Sequence, residues 1–345
     1  MEEMLKLLIT HPLKTSALLE TKGTYPSLFL NMFERIPVAD TSVRLDEIIE
    51  ATGLIPLSER GSPLPLATVE TIKATILDSV RVGQRLQVSN EKLAQMNFYA
   101  EKVGKVASSI TNYFVSRAKG LDENLYYTLE YLAFNALKGK LVDPKDGSTK
   151  YDFFNIFGVT QSAEVNFALG TATTDVAGIA NKEKIRILKA CGNAKTTNTK
   201  VVAYCSTSFF HKLISHPTVK EKYTQSVYAT RLSELEGLTS VDDFVSVGGI
   251  NFYHYIGSDD GQIAIEDDKC IICPMGVRGN FIWAMSPALE IYGEDIALAK
   301  INGGKEKYSF ISRASSDILS PTNLDVVSYP LLVPTRPATL GRGRA

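Results

Sequence analysis

The chain predicts an α+β fold, with one long helix early and a mixed sheet late. Two patterns carry this. A single apolar stripe at steps of three and four runs from Asn90 to Gly139, and short β-branched or aromatic runs dominate from Val201 onward. A turn-rich stretch around Asp143-Pro144-Lys145-Asp146-Gly147 lies between them.

Residues 1–55 offer only short apolar pieces. Met4, Leu7, Leu8 and Ile9 could form a brief helix; Pro26 opens the knot Leu28-Phe29-Leu30-Asn31-Met32-Phe33; and Ser42 to Ile49 alternates weakly. None can make a core alone, so this segment must lean on something else. Residues 54–89 begin with the turn formers Ser58-Glu59-Arg60-Gly61-Ser62-Pro63. Val69 to Leu77 and Val80 to Gly83 follow, β-branched and partly alternating, and read as a long two-stranded excursion. A lone hairpin is marginal in water, so a long one needs another surface. Its charges Glu70, Lys73, Asp78, Arg81 and Arg85 suit a solvated face or ion pairs with another subunit.

In the helix, Leu93, Met96, Ala100, Val103, Ala107, Ile110 and Phe114 share one face. Leu121, Leu125, Leu129, Leu132 and Ala136 resume the stripe, which stops at Lys138-Gly139, a C-cap signal. Gly120-Leu121-Asp122 is a possible break, since Asp122 could cap a second helix. Uninterrupted, the stretch would form a rod of roughly 70 Å. Beyond it, Tyr151 to Val159 reads as a strand, and 160–195 as loop with one helix from Lys182 to Lys189. Val201 to Cys205 has the continuous apolar run of a buried strand. Ser206 or Thr207 can cap the next helix, with Phe209, Phe210, Leu213 and Ile214 on its apolar side. Phe244 to Tyr255 is strand, Gly248-Gly249 turn or bulge, strand; Ile263–Ile265, Cys270–Met275, Phe281–Met285, Tyr308–Ile311 and Asp325–Val333 supply more.

With 345 residues, 44% of them hydrophobic and 22% charged, the composition is that of a globular protein. The formal net charge of −1 argues against a general nucleic-acid binder. Met1-Glu2-Glu3-Met4 makes a poor secretory signal, no apolar run reaches membrane-spanning length, and four cysteines suggest no disulfide framework. A reducing, cytoplasmic origin is expected. Cys270-Ile-Ile-Cys273 invites a zinc or redox reading. Yet no second ligand pair stands at zinc spacing, and strand alternation sends the two thiols to opposite faces. His211, His216 and His254 share no helical face or motif. Gly248-Gly249 and Gly303-Gly304 lack the strand-to-helix context of a phosphate loop. The tail Gly341-Arg-Gly-Arg-Ala345 reads as a frayed terminus. No catalytic, cofactor or metal site is predicted.

Several passages resemble, in order, the lambda-like coat proteins of the tailed-phage major capsid protein E family. Pro26 to Phe33 is similar to an N-terminal "P…FL…F" segment, and Ile55-Pro-Leu-Ser-Glu-Arg-Gly61 to the start of an extended loop. Glu130 with Ala136-Leu-Lys-Gly139 resembles the end of the spine helix, and Asp243 to Phe252 a glycine-paired strand motif. Pro274-Met-Gly276 and Met285-Ser-Pro-Ala288 resemble family turns, while Ser328 to Pro337 resembles the closing "NPLPI…RP". Ser79-Val-Arg-Val-Gly83 departs from the pattern by lacking a Pro-His pair.

The resemblance implies the Hong Kong 97-like capsid fold. Residues 1–55 would be the N-terminal arm and 56–89 the extended loop, a β-hairpin. Residues 90–197 and 316–345 would be the peripheral domain with the spine helix, and 198–315 the axial domain. It implies a structural, non-enzymatic subunit that self-assembles in the host cytoplasm, as hexamers and pentamers, into an icosahedral virion shell. That shell encloses packaged double-stranded DNA without reading its sequence. Portal and scaffolding proteins, and a decoration protein, are the implied partners. The loop charges Glu59, Arg60, Lys73, Arg81 and Arg85 are the expected inter-subunit contacts. An encapsulin-type compartment shell is the alternative on the same fold, and an enzyme built on Cys270 and Cys273 the alternative of another class.

Overall fold

A computed structural model describes residues 25–49, 71–92, 95, 106–224, 244–288, 303–313 and 321–345. In chain order its first strands are β1 (Glu34–Pro37), β2 (Ser42–Ile49), β3 (Thr71–Asp78) and β4 (Val82–Val88). The long helix α1 (Val106–Leu137) follows, then β5 (Lys140–Val142), β6 (Thr149–Asp152), α2 (Phe153–Ile156), β7 (Val165–Asn166) and α3 (Val176–Ala190). The second half comprises β8 (Lys200–Cys205), α4 (Thr207–Ser215), α5 (Pro217–Thr224), β9 (Phe244–Val247), β10 (Ile250–His254) and β11 (Lys269–Met275). It ends with β12 (Phe281–Met285), β13 (Tyr308–Arg313), β14 (Thr322–Ser328), β15 (Pro330–Pro334) and β16 (Gly341–Arg344).

The 32 described residues of α1 form one unbroken helix, about 48 Å long. Its stripe is buried as the periodicity predicts, from Phe114 through Leu121, Leu125, Leu129 and Leu132 to Ala136. The earlier part of that stripe, from Leu93 to Ile110, lies outside the side chains described. Gly120 does not break the helix. It is exposed, and the residues after it, Leu121 and Asp122, are both buried and hold the turn in place. The helix stops at Gly139, whose φ of +84° is left-handed and whose N–H donates to the Ala136 carbonyl at 2.9 Å. The Phe154 ring fills the space beside it, so a Cβ there would stand 2.1 Å from a ring carbon. Gly139→Ala is therefore expected to lower stability by about 2–3 kcal/mol, read from the urea midpoint, through backbone strain and displacement of Phe154.

Two cores lie on either side of a six-stranded sheet ordered β7-β16-β11-β8-β10-β9. Alternate residues of β8 and β11 point each way. Val202, Tyr204, Ile271 and Cys273 join the first core with α1, while Val201, Ala203, Cys205, Cys270 and Ile272 join the second with α3 and α4. Burial on both faces explains why Val201 to Cys205 reads as an unbroken apolar run. The first core continues through the sheets β1-β12-β15 and β13-β14-β4, with Trp283 at 0% exposure. Gly248 and Gly249, at φ +59° and +81°, make the tight antiparallel turn between β9 and β10.

The structure differs from the sequence reading in several places. β3 pairs antiparallel with β2, Ser42 opposite Asp78 and Ile49 opposite Thr71; it does not pair with β4, which joins β14. The two-stranded excursion thus takes one strand from the segment read as arm. The strand expected over Tyr151–Val159 ends at Asp152, whose carboxylate accepts the N–H groups of Phe154 and Asn155 and starts the turn α2. The helix expected from Lys182 begins earlier, at Val176, capped by Asp175. Ile263–Ile265 is loop, though Ile263 is buried. The tail is no frayed end: β16 is an interior strand, antiparallel to β11 and parallel to β7. Packing also cuts across the expected boundaries, since β7, α3 and β16 share a core or sheet with β8, and β12 pairs with β1 and β15.

Candidate functional site

The residues expected to contact other subunits lie only in part within the described structure. Glu59 and Arg60 lie outside the described residues. Lys73 stands in β3 opposite Glu47 of β2. Arg81 is exposed in the link between β3 and β4. Arg85 sits on β4 directly across from Asp325, and its guanidinium grips that carboxylate through Nε at 2.6 Å and Nη2 at 3.0 Å. Ser312 Oγ donates to the same carboxylate at 3.1 Å. Arg85 is thus engaged within its own chain, though still more than half exposed. A shift upward of the Arg85 pKa follows from that hydrogen bond and the carboxylate's charge.

The ribbon β2–β3 carries the most exposed large hydrophobic side chain among the described residues, Ile76. Among the described residues the ribbon is a sheet of two strands, eight residues each, or about 27 Å. Its root is fixed: Val43 and Leu77 are buried in the first core, Tyr151 Oη donates to the Asp78 carbonyl at 3.1 Å, and Val80 N–H to that of Pro330 at 3.1 Å. Beyond the root, Ile76 is 66% exposed.

Three polar anchors on α1, two of them buried and none singled out as an anchor from sequence, fasten remote segments to the helix. Glu130, 1% exposed, accepts the backbone N–H groups of Leu28 and Phe29 on Oε1 at 2.9 and 2.7 Å, and that of Leu30 on Oε2 at 2.8 Å. Burial raises its pKa above the usual carboxylate value, and the three amides partly offset this. Tyr126 Oη donates to Glu306 at 2.9 Å, and the other oxygen of Glu306 pairs with Arg35 of β1 at 2.7 Å. Burial, and then the Glu306 carboxylate, push the Tyr126 hydroxyl pKa up. Arg35 also lies over the Trp283 ring, 5.2 Å from its centroid. One turn earlier on the helix, buried Asp122 pairs with Lys307. The only sequence signal for these anchors was an acid, tyrosine or acid on an otherwise apolar stripe.

The residues with chemical potential are absorbed into packing. Cys270 and Cys273 face different cores, as strand alternation requires, so they form no chelating or dithiol pair. His216 hydrogen-bonds with Thr218 Oγ1 at 2.8 Å and the Thr171 carbonyl at 3.0 Å, and His254 with Thr207 Oγ1 at 3.0 Å. A cleft of about 300 Å³ is lined by charges of both signs, including Lys138, Lys269, Arg342, Glu164 and Glu266. Among the described residues, no His, Cys, Asp or Glu group is placed to hold a metal ion, and no helix is long and apolar enough to cross a membrane.

Comparison with known proteins gives this arrangement a context. Residues 16–345 match the family described as phage major capsid protein E. The major capsid protein of Pseudomonas phage KPP10 is 40% identical over 102 residues, a match spanning 28% of this chain and 28% of that protein. Among solved structures, a protein assigned as a prophage capsid protein of E. coli CFT073 is 14% identical. The match covers 96% of this chain and 98% of that one, with a TM-score of 0.52. The mature capsid of bacteriophage PhiM1 matches at 10% identity over 94% and 89% of the two chains, with a TM-score of 0.48. The fold is thus of the Hong Kong 97-like capsid type, and the family match favours a phage coat over a compartment shell. With the match running over nearly its whole length, the chain belongs to the phage major capsid protein E family.

Proposed function

We propose that this protein is the repeating subunit of a tailed-phage head, a structural rather than catalytic protein that assembles as hexamers and pentamers into an icosahedral shell. The observation that carries this is the ribbon β2–β3. Two strands with an exposed Ile76 and no third strand among the described residues are unstable alone, and complete themselves on a neighbouring copy. In this reading the ribbon is the extended loop, α1 the spine, and β1 with the Leu28–Leu30 knot the anchored end of the arm. The six-stranded sheet with α3 and α4 is the axial domain, and the sheets around α1 are the peripheral domain. The shell encloses double-stranded DNA and forms in the host cytoplasm with portal and scaffolding proteins, to which a decoration protein can add. Glu59, Arg60 and Lys73 belong to the loop's contact surface, and Arg81 with the exposed part of Arg85, beside the loop's root, extends it.

The test is size-exclusion chromatography with negative-stain microscopy on the full chain. Closed shells, or free hexamers and pentamers, are the expected result; a monomer that persists at high concentration and under crowding refutes the reading. Ile76→Lys is expected to reduce shell yield at least tenfold while moving the stability of the isolated subunit by no more than about 0.5 kcal/mol. Undiminished assembly by that variant would remove the ribbon from the interface.

A further inference from the structure

We propose that Cys205 and Cys270 are an oxidisable pair, a reversible modification site that closes as a cross-strand disulfide between β8 and β11. The thiol partner of Cys270 is not Cys273, its neighbour in the motif, but a residue far away in sequence. Cys205 and Cys270 stand directly opposite each other in the antiparallel register. Ser206 N–H donates to the Lys269 carbonyl at 3.1 Å, so the adjacent pair, Cys205 with Cys270, is one without backbone bonds between its members. Such pairs bring their Cα atoms to about 4.5 Å and their side chains closest, inside the window that a disulfide spans without backbone movement.

The surroundings favour the same pairing. Both side chains belong to the second core, where the Cys205 thiol donates to the Ala203 carbonyl at 3.9 Å. On the far side of β11, Cys270 stands opposite Gly343 of β16, where a Cβ would lie 2.9 Å from the Cys270 Sγ. As a thiol the Cys270 sulfur thus leans toward Gly343 and away from Cys205, and closing the disulfide requires a rotation about its χ1. On the far side of β8, His254 of β10 is in parallel register with Cys205. Cys273 faces the first core and cannot compete.

The oxidant is a small-molecule disulfide. The Cys205 thiolate attacks one of its sulfurs, forming a mixed disulfide and expelling a small thiolate. The Cys270 thiolate then attacks Cys205 Sγ, the Sγ–Sγ bond forms, and a second small thiolate leaves. The two protons shed by the cysteines are taken up by the two departing thiolates, and the two electrons stay with them. Burial pushes the Cys205 thiol up, so the reaction is slow in the closed fold and proceeds when the second core opens over β8 and β11. Within a reducing cell the pair stays as thiols; in oxidising surroundings it becomes a staple across the sheet.

The full chain, incubated with oxidised glutathione and separately refolded in it, is to be alkylated, digested without reduction and mapped by mass spectrometry. The expected product is a single 205–270 crosslink with Cys191 and Cys273 alkylated, and a Tm raised by roughly 5–10 °C that dithiothreitol reverses. Cys205→Ala and Cys270→Ala should each abolish both the crosslink and the shift, and Cys273→Ala should keep them. The proposal fails if both thiols remain alkylatable after refolding in the oxidant, if the crosslink joins another pair, or if it forms without raising Tm.

Discussion

Glu130→Ala is expected to cost about 3–5 kcal/mol of stability, among the largest effects of any single substitution in this chain. The side chain accepts three consecutive amides, those of Leu28, Phe29 and Leu30, and Phe29 and Leu30 are themselves buried. Truncation leaves these donors in an apolar cavity beside Phe29, Phe134 and Tyr255. Glu130→Gln is expected to cost less, about 1–3 kcal/mol: its carbonyl can keep Leu28 and Phe29, but its amide must face the Leu30 N–H donor to donor. Hydrogen exchange distinguishes this local anchor from general destabilisation. In the alanine variant the three amides should lose protection before the centre of α1 does; loss in parallel with the whole helix would refute the role.

The same carboxylate imposes a pH dependence whose sign can be fixed. Burial holds its folded pKa above the ordinary carboxylate value. The native chain therefore holds the proton more tightly than the unfolded chain does. Glu130's contribution is full below the unfolded value and declines as pH rises through the folded one. Asp146, Asp260, Glu266 and Asp268 are shifted downward by hydrogen bonds and work in the opposite sense, so the total profile does not isolate Glu130. The stability of the wild type minus that of Glu130→Gln does. That difference should narrow from acid toward neutral pH; a widening difference would reverse the assignment.

What was legible in the sequence was whatever one element's own periodicity encodes. The α1 stripe, the Gly139 stop, the Gly248-Gly249 turn and the two-faced burial of β8 all follow from local spacing, and the structure has each of them. What failed were features decided by a distant partner. β3 could pair with either of two alternating strands, and only its register with β2, across residues 50–70, decided the matter. β16 is rich in glycine and arginine and has no strand propensity. It is a strand because Glu183 Oε1 lies where a Cβ on Gly341 would go and Phe167 fills the same place at Gly343, so close packing selects what propensity does not. The aromatic run from Phe153 looked extended, yet one Asp152 side chain capping two amides outweighed it. The loop contacts were the least legible of all, because a residue's partner on another copy leaves no period in its own chain.

The pair of Asp122 and Lys307 gives the second large effect, and it tests how the long helix is held. Asp122 is fully buried in the middle of α1, and the Lys307 side chain is 13% exposed at the approach to β13. Asp122→Asn or Lys307→Met alone leaves one charge buried opposite a neutral group, at an expected cost of about 3–5 kcal/mol in a urea melt. The double variant should recover much of that loss, because a buried ion pair can often be exchanged for neutral groups of similar volume at little net cost. Additive losses would mean that the two residues act separately and that their contact is incidental. The neighbouring residue Glu306 sharpens the reading, since it ties Tyr126 of α1 to Arg35 of β1. Segment 305–307 is thus bolted to the helix by two consecutive acidic or basic side chains of opposite sign, and through Arg35 it reaches the arm. If the segment moves as one piece, Lys307→Met should also raise hydrogen exchange at Arg35 and Ile36, whose strand pairs with β12. Unchanged exchange there would confine the ion pair to the helix and release the arm from it.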